Sequence, residues 1–181
     1  MTSFDHAQST SYDQRATRLL GSLYQRIAAD IDTATGPGAT VVDIGTGPGK
    51  LLSRLATRRP DLRLHGIDLS PHMIEIAHRN LTGYTVDLAV ADVTDLPYPD
   101  AGIDLAVSSL SMHEWPDLDA AARELHRVLR PGGHLTVYDF RFARPGANRR
   151  ALRTHFGLVD TTTVRLPWHP VGVVTRYRAT A

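Results

Sequence analysis

The 181-residue chain contains no cysteine, which excludes disulfide staples, thiolate metal sites and a cysteine nucleophile. Lysine is nearly absent too. Of 20 basic residues only Lys50 is lysine, a bias we read as genome composition rather than mechanism. No stretch approaches the ~18 apolar residues of a membrane span, and the opening MTSFDHAQSTSYDQ has neither the basic nor the apolar segment of an export signal. A cytoplasmic protein with no membrane partner is therefore expected. The net charge is only +1, which removes the simplest argument for a nucleic-acid binder. What is present is an ordinary globular composition, 42% hydrophobic and 22% charged, at a length that suits one domain.

The balanced charge conceals an asymmetry. Residues 1–140 carry 12 basic and 18 acidic residues, whereas 141–181 carry eight arginines against Asp160 alone. Arg141, Arg144, Arg149, Arg150 and Arg153 could bind an acidic acceptor or RNA. Few aromatics interleave them, which weakens the single-stranded RNA version, and a solvated arginine-rich helix face is the simpler account.

Hydrophobic spacing organises the chain. Ala16, Leu19, Leu20, Leu23, Ile27 and Ala28 recur at helical intervals across Thr10 to Ile31, and Gly36, Pro37 and Gly38 end that segment. Strand-length runs then alternate with helices. Strands are predicted at Thr40–Ile44, Leu62–Ile67, Thr85–Val90, Ile103–Ser109 and His134–Phe140, and helices at Pro48–Arg58, Pro71–Asn80 and Leu118–Leu129. Such alternation implies a parallel, doubly wound α/β sheet with helices on both faces. Ser70-Pro71 and Asp117 read as helix N-caps, and Arg130-Pro131-Gly132-Gly133 as a helix stop. A helix at Ala147–Phe156 and a hairpin, Val159–Leu166 and Val171–Arg178 joined by PWHP, close one edge. Residues 1–35 form a helical lid segment and 36–181 the single domain. No insertion follows the fifth strand, so the acceptor site should be open or completed by a second subunit, making a homodimer possible.

The strongest chemical signal is Val41-Val42-Asp43-Ile44-Gly45-Thr46-Gly47-Pro48-Gly49-Lys50. A glycine loop between strand and helix lets backbone approach a ligand. The dinucleotide pattern G-x-G-x-x-G needs glycine at position 50, which is Lys50. Asp43 also disfavours a pyrophosphate there, by on the order of 4 kcal/mol at ~4 Å, and would attract an amino group or sulfonium. Asp68, ending the second strand, can accept from both ribose hydroxyls, and Asp92 after the third offers an acceptor for an exocyclic amine.

The ordered set DIGTGPG, GIDLS, ADVTDLPYPDAGIDLAVSSLSMHEWPD and RVLRPGGHL resembles the class I S-adenosylmethionine-dependent methyltransferases, particularly the small-molecule group called type 11 or UbiE-like, over about residues 39–140. The resemblance implies a Rossmann-like, seven-stranded sheet in the order 3-2-1-4-5-7-6 with strand 7 antiparallel, and S-adenosyl-L-methionine as cofactor, with S-adenosyl-L-homocysteine as product. It implies that Asp43 and the loop Gly45, Thr46, Gly47 and Gly49 hold the methionine part. Asp68 would hold the ribose, Leu69 and Val93 would sandwich adenine, and Asp92 would meet its amine. The backbone at Ser109 and Leu110 would face the methionine amine, and Tyr12 would cover the cofactor.

Methyl transfer from a sulfonium is an in-line displacement, so positioning and exclusion of water supply much of the acceleration. A base is needed only if the acceptor loses a proton. His113, just beyond the fourth strand, and Asp139, ending the fifth, are the candidates; orienting or capping their loops is the plainer role of each. The histidines do not form a metal-binding spacing, because Asp117 stands where His113-Glu114 would need a second histidine. The expected activity is methyl transfer to an oxygen, nitrogen or carbon of a small-molecule acceptor. Alternatives are RNA or protein methylation through the arginine-rich tail, or a catalytically silent cofactor-binding module.

Overall fold

A computed structural model of the chain describes residues 20–165 and 172–181. Helix α1 (Gly21–Ala34) leads into β1 (Thr40–Ile44), α2 (Lys50–Arg58), β2 (Arg63–Asp68), α3 (Pro71–Asn80), β3 (Val86–Val90) and β4 (Ile103–Ser109). A 3-10 turn (Met112–Glu114) precedes α4 (Leu118–Val128), β5 (Leu129–Phe140), α5 (Pro145–Phe156), β6 (Val159–Val164) and β7 (Val174–Thr180). The strands form one sheet in the order β3-β2-β1-β4-β5-β7-β6. β1 to β5 are parallel, and β7 runs antiparallel to β5 and β6.

The central strands are apolar on both faces because both are covered. Leu105 and Val107 of β4 meet Leu23, Ile27 and Ile31 of α1 and Leu51, Leu52 and Leu55 of α2 in one core layer. Ala106, Leu135 and Val137 meet Ala122, Leu125 and Val128 of α4 and Leu152 of α5 in the other. α1 is tied down further by Asp30, which accepts from the Tyr138 hydroxyl at 2.5 Å and from Arg176 Nη1 at 3.0 Å. The described part of the N-terminal segment is thus built into the core. Tyr12 and the PWHP connection lie outside the described residues.

Caps fall where side-chain chemistry places them. Ser70 Oγ accepts from the Met73 N–H at 3.3 Å with Pro71 in the first turn, and Asp117 accepts from the Asp119 and Ala120 N–H groups. Several boundaries differ from expectation. The Arg130-Pro131-Gly132-Gly133 run is not a turn outside β5 but an irregular stretch within it, where the register against β4 shifts. A side chain at Gly133 would meet the Arg130 carbonyl at 2.8 Å, so backbone approaches backbone there. α5 starts at Pro145, whose ring pre-sets the first helical turn, two residues before the expected start. β6 ends at Val164, and β7 occupies Val174–Thr180 rather than Val171–Arg178.

The consequence for function is positional. β1, β2, β4 and β5 are parallel, so the glycine loop, Asp68, the 3-10 turn and the start of α5 all emerge at the same carboxyl edge of the sheet.

Candidate active site

At the end of β1, Asp43 is 1% exposed. Its Oδ2 accepts from Thr46 Oγ1 at 2.9 Å, and its Oδ1 is buried without a partner. Burial, reinforced by the charge of Asp68 and opposed by the Thr46 bond, raises its pKa to about 7. The loop is pinned across to β2, with the Thr46 N–H donating to the Ile67 carbonyl at 2.8 Å and the Gly47 N–H to Asp68 Oδ2 at 2.9 Å. Asp68 Oδ1 accepts from the Ser70 N–H at 2.9 Å. Burial raises the Asp68 pKa as well, against the pull of these two amides.

Gly45 and Gly47 have φ of +70° and +53°. A side chain at Gly45 would strike Ser111 Oγ at 2.4 Å, whereas one at Gly47 would meet nothing within 4 Å. Gly45 therefore serves packing, and Gly47 borders open space. Gly49 caps the start of α2. The Ser111 hydroxyl, which sequence reasoning passed over, donates to the Ile44 carbonyl at 3.1 Å and pairs with Ser108 Oγ at 2.8 Å. It lies inside the fourth-strand motif quoted above, but only the packing of β4 against β1 shows what it supports.

The remaining candidates ring this loop unequally. Leu69 is 52% exposed and Val93 is buried in the core, so the two flanks of the expected adenine slot differ in character. Asp92 Oδ1 caps its own turn, accepting from the Thr94 N–H at 2.9 Å and Oγ1 at 2.8 Å. The Ala91 N–H donates to the Asp68 carbonyl at 3.1 Å, which sets Asp92 beside the end of β2. Leu110, after Ser109, has φ of +55° and gives its N–H to the Tyr138 carbonyl at 2.7 Å. What this stretch can offer an amine is therefore carbonyl oxygen.

His113 and Asp139, separate candidates in the sequence, come together. His113 Nδ1 lies 2.8 Å from Asp139 Oδ1, which also accepts from the Phe140 N–H at 2.8 Å. Asp139 is fully buried. A carboxylate on Nδ1 selects the tautomer that leaves Nε2 as an acceptor. Arg144, at φ +48°, directs Nη2 to the carbonyls of Met112, His113 and Trp115 at 3.3, 2.5 and 3.1 Å. One guanidinium thus holds the turn that carries His113. This removes Arg144 from the solvated arginine cluster, a role its place in the sequence does not show. Trp115 packs into the core beneath the same turn.

The methyltransferase domain family matches residues 41–133. The chain belongs to this family. Its relatives include a demethylmenaquinone methyltransferase of Thermus thermophilus, 33% identical over 74% of this chain and 61% of that protein. A malonyl-[acyl-carrier protein] O-methyltransferase of Hahella chejuensis is 36% identical over 71% of this chain and 45% of that protein. The chain thus spans about half to three-fifths of these relatives' lengths. A TehB-like S-adenosylmethionine-dependent methyltransferase of Corynebacterium glutamicum shares the fold at a TM-score of 0.79 and 20% identity, covering 97% of this chain and 99% of that one. This is the class I fold, and its cofactor is S-adenosyl-L-methionine. No helix among the described residues is long and apolar enough to cross a membrane.

Proposed function

We propose that this protein transfers a methyl group from S-adenosyl-L-methionine to a small-molecule nucleophile, with His113 as general base where the acceptor must lose a proton. The observation that carries the base assignment is the 2.8 Å contact between His113 Nδ1 and buried Asp139 at the carboxyl edge of the sheet.

The residues present fit the cofactor. Asp43 Oδ1 is a buried oxygen with no partner, which suits a cationic ligand nearby, and Gly47 leaves open space where any side chain would intrude. Asp68 stands at the strand end with both oxygens already receiving one amide each, and a carboxylate oxygen has a further lone pair for a hydroxyl donor. When bound, the cofactor supplies an electrophilic methyl carbon on a sulfonium. Asp43 and Asp68 orient it by charge and hydrogen bonding, and Leu69 gives an apolar surface for its base. Attack on that carbon would leave the carbon–sulfur electron pair on sulfur, so no residue of the chain need protonate the leaving group. For a hydroxyl acceptor, the proton passes to His113 Nε2, and Asp139 stabilises the resulting imidazolium.

Calorimetric titration with S-adenosylhomocysteine tests the cofactor half, and isotopic methyl transfer into a cell extract tests the acceptor half. Binding of S-adenosylhomocysteine and a labelled small product are expected. Stabilisation by NAD instead, or label found only in RNA or protein, would overturn the respective half.

A further inference from the structure

The turn between β5 and α5 carries an aromatic ring that the core does not use. Phe142 is 76% exposed, yet its ring is held flat against Phe140, at 14° and 5.4 Å between centroids. Phe140 in turn meets the His113 ring at 5.4 Å and 59°. The three rings form a continuous strip from the candidate base into solvent. An exposed aromatic face held rigid beside a reactive group is a stacking platform.

At the His113 end of this strip stand the carboxylates of Asp139 and of Glu114, whose Oε1 is 3.9 Å from His113 Nε2; beyond Phe140 the chain is basic. No acidic residue occurs from Phe140 to Val159. One helical turn into α5, Arg149, Arg150 and Arg153 line a cavity of about 470 Å³ together with Gly146 and Thr154. Elsewhere Arg58, Arg59, Arg127, Arg130 and Arg176 each reach a carboxylate. Among the described residues, Arg149, Arg150 and Arg153 have no such partner. α5 begins at the carboxyl edge that also carries the glycine loop and His113, so this cationic wall starts one helical turn from that edge.

We infer that strip and wall together recognise the methyl acceptor, and that it is a planar aromatic ring bearing an anionic group. The ring stacks on Phe142, the anion is held by Arg149 and Arg150, and the nucleophile is presented to His113. A neutral ring leaves the arginines without a counter-charge, and an aliphatic acid makes no use of Phe142. The assignment rests on the methyltransferase reading above and names its substrate class.

The test is competitive binding to the full chain saturated with S-adenosylhomocysteine. The probes are hydroxybenzoates, the matching neutral hydroxybenzyl alcohols, saturated hydroxycyclohexane carboxylates, inorganic phosphate and a single-stranded RNA. Hydroxybenzoates are expected to bind at about 1 mM or better and the neutral and saturated analogues about tenfold more weakly. Phe142→Ala should remove the preference for the aromatic acid over the saturated one, and Arg149→Gln with Arg150→Gln the preference for acid over alcohol. S-adenosylhomocysteine affinity should hold in every variant. Equal binding of all small probes, no binding of any, retention of both preferences in the variants, or RNA binding that depends on the same residues would overturn the inference. Failure of the protein to bind S-adenosylhomocysteine would instead overturn the reading beneath it.

Discussion

Replacing Asp43 with asparagine should make the ligand-free protein relatively more stable as pH rises, while weakening its hold on the cofactor. The folded protein keeps a proton on Asp43 up to about pH 7, whereas the unfolded chain releases it near 3.8. Between those values the native state binds more protons, so stability falls as pH rises, and the full penalty is present above the folded pKa. At 1.36 kcal/mol for each tenfold change in ionisation, the whole interval corresponds to about 4 kcal/mol, of which about 2–3 kcal/mol accrues between pH 5 and 8.5. Asparagine removes that term but buries an NH₂ group without an acceptor, at ~1–3 kcal/mol whatever the pH. It preserves an oxygen for the Thr46 hydroxyl, so the loop has no other reason to change. The variant is therefore expected to be equal to or less stable than wild type at pH 5 and more stable at pH 8.5. The relative melting temperature should rise by about 5–10 °C across that range, at ~2–4 °C per kcal/mol for a chain of this size. Thermal denaturation of both proteins in matched buffers measures it. S-adenosylhomocysteine should close the gap at pH 8.5, because its ammonium stabilises the ionised carboxylate of wild type only. A melting difference that is flat with pH, or that moves the other way, refutes the account of Asp43.

Asp139→Asn should lower turnover by about 10²-fold or more once an acceptor is known, the usual worth of a correctly oriented base, with S-adenosylhomocysteine affinity unchanged; equal turnover would show that His113 acts without its partner. Asp30→Ala leaves Arg176 poorly solvated and without its carboxylate, which should destabilise the protein by about 2–3 kcal/mol in denaturant melts. The pKa of Asp30 is lowered: burial pushes it up, and the hydrogen bonds from Tyr138 and Arg176 together with the charge and hydrogen bond of Arg26 outweigh that. The stability it contributes is thus present above the ordinary carboxylate range and is lost as pH falls below it. The difference between wild type and Asp30→Ala should shrink in acid, and a difference that persists there would contradict the assignment.

Legibility in the sequence followed the range of the interaction. The order of strands and helices was readable because period-two and period-3.6 hydrophobic patterns are local consequences of burial. Ser70 and Asp117 were readable as caps because a cap bonds to amides two or three residues away. The boundaries of β5 and α5 were not, since Gly132 and Gly133 read as a stop until the carbonyls of β4 are placed beside them. The site divides the same way. Asp43, Gly45, Gly47 and Asp68 stand in one recognisable order, but the Gly47 N–H turning to Asp68 is a contact between two loops. Arg144 lies in no motif, and Ser111, though inside one, shows no role there; both bond to backbone carbonyls that any sequence would supply.

The chain's composition and motif order alone determined its fold class, the place of the cofactor loop and the excess of arginine after the fifth strand. Tertiary structure decided what those residues face. It set Asp139 against His113, 26 positions away, turned Arg144 inward to hold the His113 turn, and left Arg149, Arg150 and Arg153 without a carboxylate among the described residues. It also sealed Asp43 from water, which moved a routine carboxylate into the neutral range. The physical reason is that hydrophobic periodicity is written along the chain, whereas desolvation and charge pairing depend on which strand ends the sheet brings side by side.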